Sequence, residues 1–266
     1  GRPPRRRPRL GLPLPGGPLM AARPTGTPRG SFLRLYRLVL RHQLTWGRAT
    51  VVLGLGFLTA LVALAARSGS SSATATTNGT ELINGVAFTT IVPVCALMFA
   101  SSALGDMVDD RTLVYVWLTP VHRGWLALAA TLASITVALP LALVPLTIAA
   151  AATGAGPELV WATALATAVG TIGYCGLFTA LGLRFRRALV WGIAYILVWE
   201  GFVATASEAA ATLSLRAYTA SILSQATGVG LRLGTLTMAS GIIVPPLVGL
   251  AAVGLTTWLL TRTDVD

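Results

Sequence analysis

The chain has no lysine, only nine acidic residues, two cysteines and two histidines among its 266 residues. Each scarcity removes a class of function. Without lysine there is no G-x-x-x-x-G-K-[ST] phosphate loop, so this chain does not carry that nucleotide site. Cys95 and Cys175 both lie in apolar runs with no CxxC partner or metal-like spacing; they read as two small buried hydrophobes, not as a disulfide framework. His42 and His122 are too few for a histidine-built metal site. Charged residues make up 11% of the chain, against about 25% in a water-soluble domain. With 54% hydrophobic residues and a mean hydropathy of +0.73, much of the surface must face lipid.

What is present is a series of long uncharged stretches. A hydrocarbon core of about 30 Å takes about 20 apolar residues in a helix. The spacing of charges predicts six such spans, at about 49–66, 82–104, 124–152, 159–183, 188–206 and 238–261. The third window is too long for one straight crossing and too short for two. It reads as one helix bent at Pro140 and Pro145 that ends by Gly154-Ala155-Gly156-Pro157. Pro245-Pro246 predict a break in the sixth span. The expected fold is therefore an all-α, polytopic membrane protein with six transmembrane helices over residues 49–262.

The net charge is +11, all of the basic residues are arginine, and eleven of the twenty fall in the first 48 residues. Beside a membrane span this reads as an orientation signal, so nucleic acid is not an expected partner. With both termini inside, 17 of the 20 arginines lie on the cytoplasmic side, leaving Arg67, Arg216 and Arg232 outside. The positive-inside bias thus predicts an N-in, C-in topology. The abundance of Ala and Arg without Lys points to a GC-rich bacterial genome, hence to a plasma membrane.

Residues 1–30 are rich in Arg, Pro and Gly and are expected to form a disordered cytoplasmic tail. Met20-Ala21-Ala22-Arg23-Pro24 reads as a natural start, which predicts that residues 1–19 precede the functional protein. In residues 31–48, Arg34, Arg37, Arg41 and Arg48 recur at helical steps opposite Phe32, Leu35, Tyr36, Val39 and Leu40. That pattern is an amphipathic helix along the cytoplasmic interface, or else a helical extension of the first span. Residues 67–81 read as a flexible, solvated outer connection containing the triplet Asn78-Gly79-Thr80. Residues 207–237 are semi-apolar and suggest one or two short helices at the outer leaflet.

The most unusual local sequence is the cytoplasmic loop 105–123. Asp106, Asp109 and Asp110 cluster at the end of span two, followed by Arg111-Thr112-Leu113, an apolar-aromatic stretch, Thr119-Pro120 and His122-Arg123. Three acids suit a divalent cation, but Arg111 and Arg123 are equally suited to pair with them. Val114-Tyr115-Val116-Trp117-Leu118 is costly to expose and needs a lipid or protein cover.

This order of an acidic helix end, Arg-Thr-Leu, an apolar turn and Thr-Pro-Val-x-Arg before a new span resembles the permease subunits of ATP-binding-cassette transporters, type-2 exporter class. The family pattern is close to E-x-x-x-G-T-L-x-x-L-x-x-x-P-x-x-R. Here Asp109 or Asp110 stands for the Glu, Arg111 replaces the Gly, and Thr112, Leu113, Pro120 and Arg123 fit. Six spans, a preceding amphipathic helix and a long semi-apolar stretch between spans five and six agree, over about residues 31–262. The resemblance implies that a separate nucleotide-binding ATPase subunit holds ATP and Mg, with no cofactor on this chain. It also implies a second permease chain, identical or related. The loop would form a coupling helix in a groove of the ATPase, with Tyr115, Trp117 and Leu118 as its anchor and Asp109, Asp110, Arg111 and Arg123 as its polar rim. It leaves the cargo open.

Glu200 has two readings: it lines the outer part of a translocation path or pairs with Arg216 or Arg232, or it sits in the outer headgroup layer. An intramembrane enzyme would need paired acids, a Ser/His pair or a metal triad inside the spans, and Glu200 is the only well-placed acid. The chain is therefore not expected to be an enzyme. The alternative to the exporter is a stand-alone secondary carrier or channel without an ATPase partner.

Overall fold

The computed structural model describes residues 28–43, 46–67, 72–109 and 123–262, with the backbone alone described for 28–31, 72–73 and 107–109. Among them every regular element is helical: α1 Pro28–Gln43, α2 Trp46–Arg67, α3 Ser72–Leu82, α4 Val92–Asp109, α5 Arg123–Ala152, α6 Pro157–Arg184, α7 Ala188–Ala194, α8 Ala204–Ala206, α9 Glu208–Ala211, α10 Leu215–Thr227 and α11 Met238–Arg262. Two π-helical stretches, Ile83–Ile91 and Tyr195–Val203, join α3 to α4 and α7 to α8 without interrupting the rods.

Six rods are long and apolar enough to cross a membrane: Trp46–Arg67, Thr74–Asp106, Arg123–Ala152, Pro157–Arg184, Ala188–Ala206 and Met238–Arg262. The fifth coincides with the window read from charge spacing. Phe57 is 65% exposed on span one, Phe202 80% on span five and Leu250 64% on span six. Large side chains in such positions are stable only against apolar surroundings, which a bilayer supplies.

Span four lies at the centre, packed against spans two, three and six and against α10. Close approach there depends on small residues. A methyl group on Gly176 would sit 2.6 Å from the Gly249 Cα and carbonyl oxygen of span six. The same contact explains why the predicted break at Pro245-Pro246 does not occur: α11 runs unbroken through both prolines. On this face span six is held against span four, with Pro245 buried beside Gly173. Span three likewise continues through Pro140 and Pro145 as one helix, as expected, and its exit turn places Gly154 and Gly156 at positive φ.

One connecting segment differs from expectation. Residues 72–82 are helical and lengthen span two at its N-terminal end, although their Ser/Thr content reads as a flexible loop. Ala75, Gly79 and Thr80 are buried, with the Gly79 Cα side against Thr153 and Ala155 at the turn between spans three and four. That tertiary contact overrides the weak helix propensity of the segment. Between spans five and six two short helices form, α9 and α10, and α10 buries Leu215, Ala217, Ala220, Ile222 and Leu223 against spans four and six.

Helix α1 buries the face that its periodicity marks, with Val39 and Gln43 fully covered and Arg34, Arg37 and Arg41 exposed. Its cover is protein. Tyr36 donates to Thr136 Oγ1 at 2.9 Å, Gln43 Nε2 donates to Ser134 Oγ at 2.9 Å, and Phe32 meets Trp125 edge-on with ring centroids 5.3 Å apart. The helix is thereby strapped along the first half of span three.

Candidate functional site

Residues 110–122, with Asp110, Arg111, Thr112, Leu113, Tyr115, Trp117, Leu118 and Pro120, lie outside the described residues, and so does the side chain of Asp109. The two helix ends that the segment joins are described. Asp109 closes α4 and Arg123 opens α5. Arg123 Nη1 donates to the Leu260 carbonyl at 2.5 Å, which ties the start of span three to the last turn of span six. A cation there also complements the negative end of the α11 dipole.

Asp106, the first of the three clustered acids, is engaged by side chains of its own chain. Its Oδ2 lies 3.3 Å from His42 Nε2 and 3.5 Å from Arg48 Nη2, while Arg48 Nη1 donates to Ser102 Oγ at 2.7 Å. The end of span two is thus bound to the junction of α1 and α2. Among the described residues no group of three His, Cys, Asp or Glu side chains is arranged to hold a metal ion. Cys95 and Cys175 are both buried and free, as their apolar context predicts.

The most elaborate polar arrangement surrounds Glu200, which is 1% exposed. It is built locally by the π-helical register of Tyr195–Val203. Residues five apart come onto one line in such a turn, and Tyr195 donates its hydroxyl to Glu200 Oε1 at 3.1 Å. From span four, Tyr174 donates to the same oxygen at 3.1 Å. The other oxygen, Oε2, accepts from Ser214 Oγ and, at 3.3 Å, from the Arg216 main-chain N–H. Ser214 is the N-cap of α10 and also accepts from the Ala217 N–H. A carboxylate thus faces the positive end of a 13-residue helix.

Phe178 underlies the cluster, stacked on Tyr174 with centroids 5.8 Å apart and edge-on to Tyr195 at 6.0 Å. Arg216 Nη1 reaches back to the Glu200 main-chain carbonyl at 3.5 Å. Burial lowers the Arg216 guanidinium from its ordinary value, and the Glu200 carboxylate opposes that shift; the group remains charged at neutral pH.

Of the two partners the sequence offers Glu200, the structure brings Arg216. Arg232 instead donates from Nη2 to the Thr205 carbonyl at 3.1 Å. A buried carboxylate that accepts from four donors is suited to fastening elements together, not to proton transfer with a bound substrate. Spans four and five and α10 meet at this one side chain. Sequence inspection finds Glu200 by its charge alone; Tyr174 and Ser214 carry no signal, because 26 and 14 positions of chain separate them from it.

Compared with family models, with curated proteins and with solved structures, the chain matches none at the level of similarity applied.

Proposed function

We propose that this chain is the membrane-spanning subunit of an ATP-driven exporter, working with a separate nucleotide-binding ATPase and a second permease chain. The observation that carries the reading is the sequence pattern from Asp109 to Arg123, whose two ends belong to bundle helices: Asp109 ends α4 and Arg123 begins α5. Force applied to that segment would reach span two through Asp106 and its partners His42 and Arg48. It would reach span six through Arg123 and Leu260. Spans two and six both pack on span four, so the whole bundle would respond to one docking event. ATP and Mg would be held by the partner, whose hydrolysis cycle rocks the spans between inward- and outward-facing states.

In this reading the basic end of the bundle is cytoplasmic, α1 runs near that surface, and the protein resides in a bacterial plasma membrane. Glu200 then holds the outer end closed. Its role in a translocation path would be to release α10 when the outward-facing state opens.

Affinity purification from the native host tests the proposal. The chain should bring down an ATPase bearing the lysine-containing phosphate loop it lacks, and Trp117→Asp should abolish that capture without lowering the amount of membrane-inserted protein. A wild-type chain that catalyses transport in proteoliposomes with no ATPase present would instead establish the stand-alone carrier or channel.

A further inference from the structure

At the basic end of the bundle, a cavity of about 310 Å³ opens between the beginnings of spans one and five and the end of span two. Among the described residues its charged lining is Arg48, Arg186 and Arg187 against one acid, Asp106. Arg48 is already committed to Asp106 and Ser102, which neutralises that acid within the protein. Arg186 and Arg187 are exposed, and among the described residues neither guanidinium has a hydrogen-bond or ion-pair partner. The remaining walls are apolar: Met98, Phe185, Leu189 and Val190.

The turn that presents the two arginines is fixed from both sides. Phe185 packs at a tilt against Trp191 with centroids 5.2 Å apart, and the Arg184 guanidinium lies 5.6 Å over the Phe185 ring. Leu189 and Val190, at 51% and 62% exposed, line the cavity one turn further along span five, on the lipid-facing surface. One end of the cavity therefore offers two cations without a partner among the described residues, and the other offers exposed apolar side chains at the start of span five. Its volume is at the low end of the range for small-molecule sites, about 300–1,000 Å³, enough for a headgroup but not for a whole lipid.

We infer that this cavity is a binding site for the phosphate headgroup of an anionic phospholipid, with Arg186 and Arg187 holding the phosphate and the acyl chains leaving past Leu189 and Val190. Arginine forks suit phosphate oxygens, and the apolar walls suit the acyl chains that follow. The inference stands whether or not the chain transports anything.

Native mass spectrometry of the intact chain tests it, on protein released from a neutral detergent and titrated with phosphatidylglycerol, phosphatidylcholine or inorganic phosphate. One phosphatidylglycerol should be retained in preference to phosphatidylcholine. The double variant Arg186→Gln/Arg187→Gln should weaken that binding by about tenfold or more, the effect of losing charge-assisted contacts. Arg34→Gln/Arg37→Gln, an equal loss of charge on α1, should change it by less than about twofold. Equal weakening in both double variants would reduce the effect to bulk surface charge and overturn the site. So would equal retention of phosphatidylcholine, or inorganic phosphate bound as tightly as the lipid. Should the first double variant fail to assemble, Leu189→Glu at an exposed position on the cavity mouth must give the same loss, and unchanged binding there would also overturn the site.

Discussion

Tyr174 on span four donates its hydroxyl to Glu200 Oε1 on span five at 3.1 Å, and both residues are 1% exposed. Because Ser214 and the Arg216 N–H hold the opposite oxygen, this contact is one half of a strap that fastens α10 to two spans. Glu200→Gln keeps the shape but replaces an acceptor with a donor facing donors. Its expected cost is about 1–3 kcal/mol per buried donor left unpaired, read as a lower thermal midpoint in detergent. A Gln variant with wild-type stability and transport would remove both the structural and the gating role.

Gly182 makes the next prediction. A methyl group there would lie 2.4 Å from the Ser101 carbonyl oxygen and 3.0 Å from its Cα, all main-chain atoms of span two that cannot rotate away. Gly182→Ala should therefore push spans two and four apart and destabilise by about 1–3 kcal/mol, in spite of alanine's better helix propensity. Gly54→Ala, with nothing within 4 Å of the added carbon, is the matched control and should be neutral or slightly stabilising.

Gln43 leads to an outcome that contact inspection alone would not suggest. Its Nε2 bonds to Ser134, but its buried Oε1 has no partner. Ser134 stays satisfied without it, since its hydroxyl also lies 2.9 Å from the Ala130 carbonyl. Gln43→Leu should accordingly leave stability unchanged or raise it, because it removes a buried orphan acceptor. Tyr36→Phe, which deletes the hydroxyl bonded to Thr136, should cost about 0.5–1.5 kcal/mol and loosen α1. Chemical unfolding of the two variants side by side checks the contrast.

Much of the fold is legible in the sequence because lipid imposes a simple rule: charges stay out of spans. That rule places the bounds of the third, fourth, fifth and sixth spans within two residues of the helices. It also exposes the periodic face of α1 through Val39 and Leu40. It fails at residues 72–82, where small polar residues form a helix only because the turn after span three packs on Gly79. It fails again at Pro245, whose effect depends on a neighbour, Gly173, 72 positions away in the chain. The π-helical turns are invisible for a further reason, since a shift in hydrogen-bond register alters no side chain's hydropathy. Glu200 was recognisable as costly, but its donors come from elements whose adjacency is a property of the assembled bundle. The segment carrying Tyr115 and Trp117 lies outside the described residues, so its proposed docking rests on its pattern and on the helices it joins.

Single-cysteine accessibility in intact cells, in a Cys95→Ala/Cys175→Ala background, tests the central claim of six crossings with the basic end inside. Trp117→Cys and Arg37→Cys are predicted to react with a membrane-impermeant maleimide only after permeabilisation, and Leu213→Cys to react before it. Reaction of Trp117→Cys and Leu213→Cys from the same side, or of Arg37→Cys from outside, would contradict the topology and with it the docking of an ATPase at the Trp117 turn.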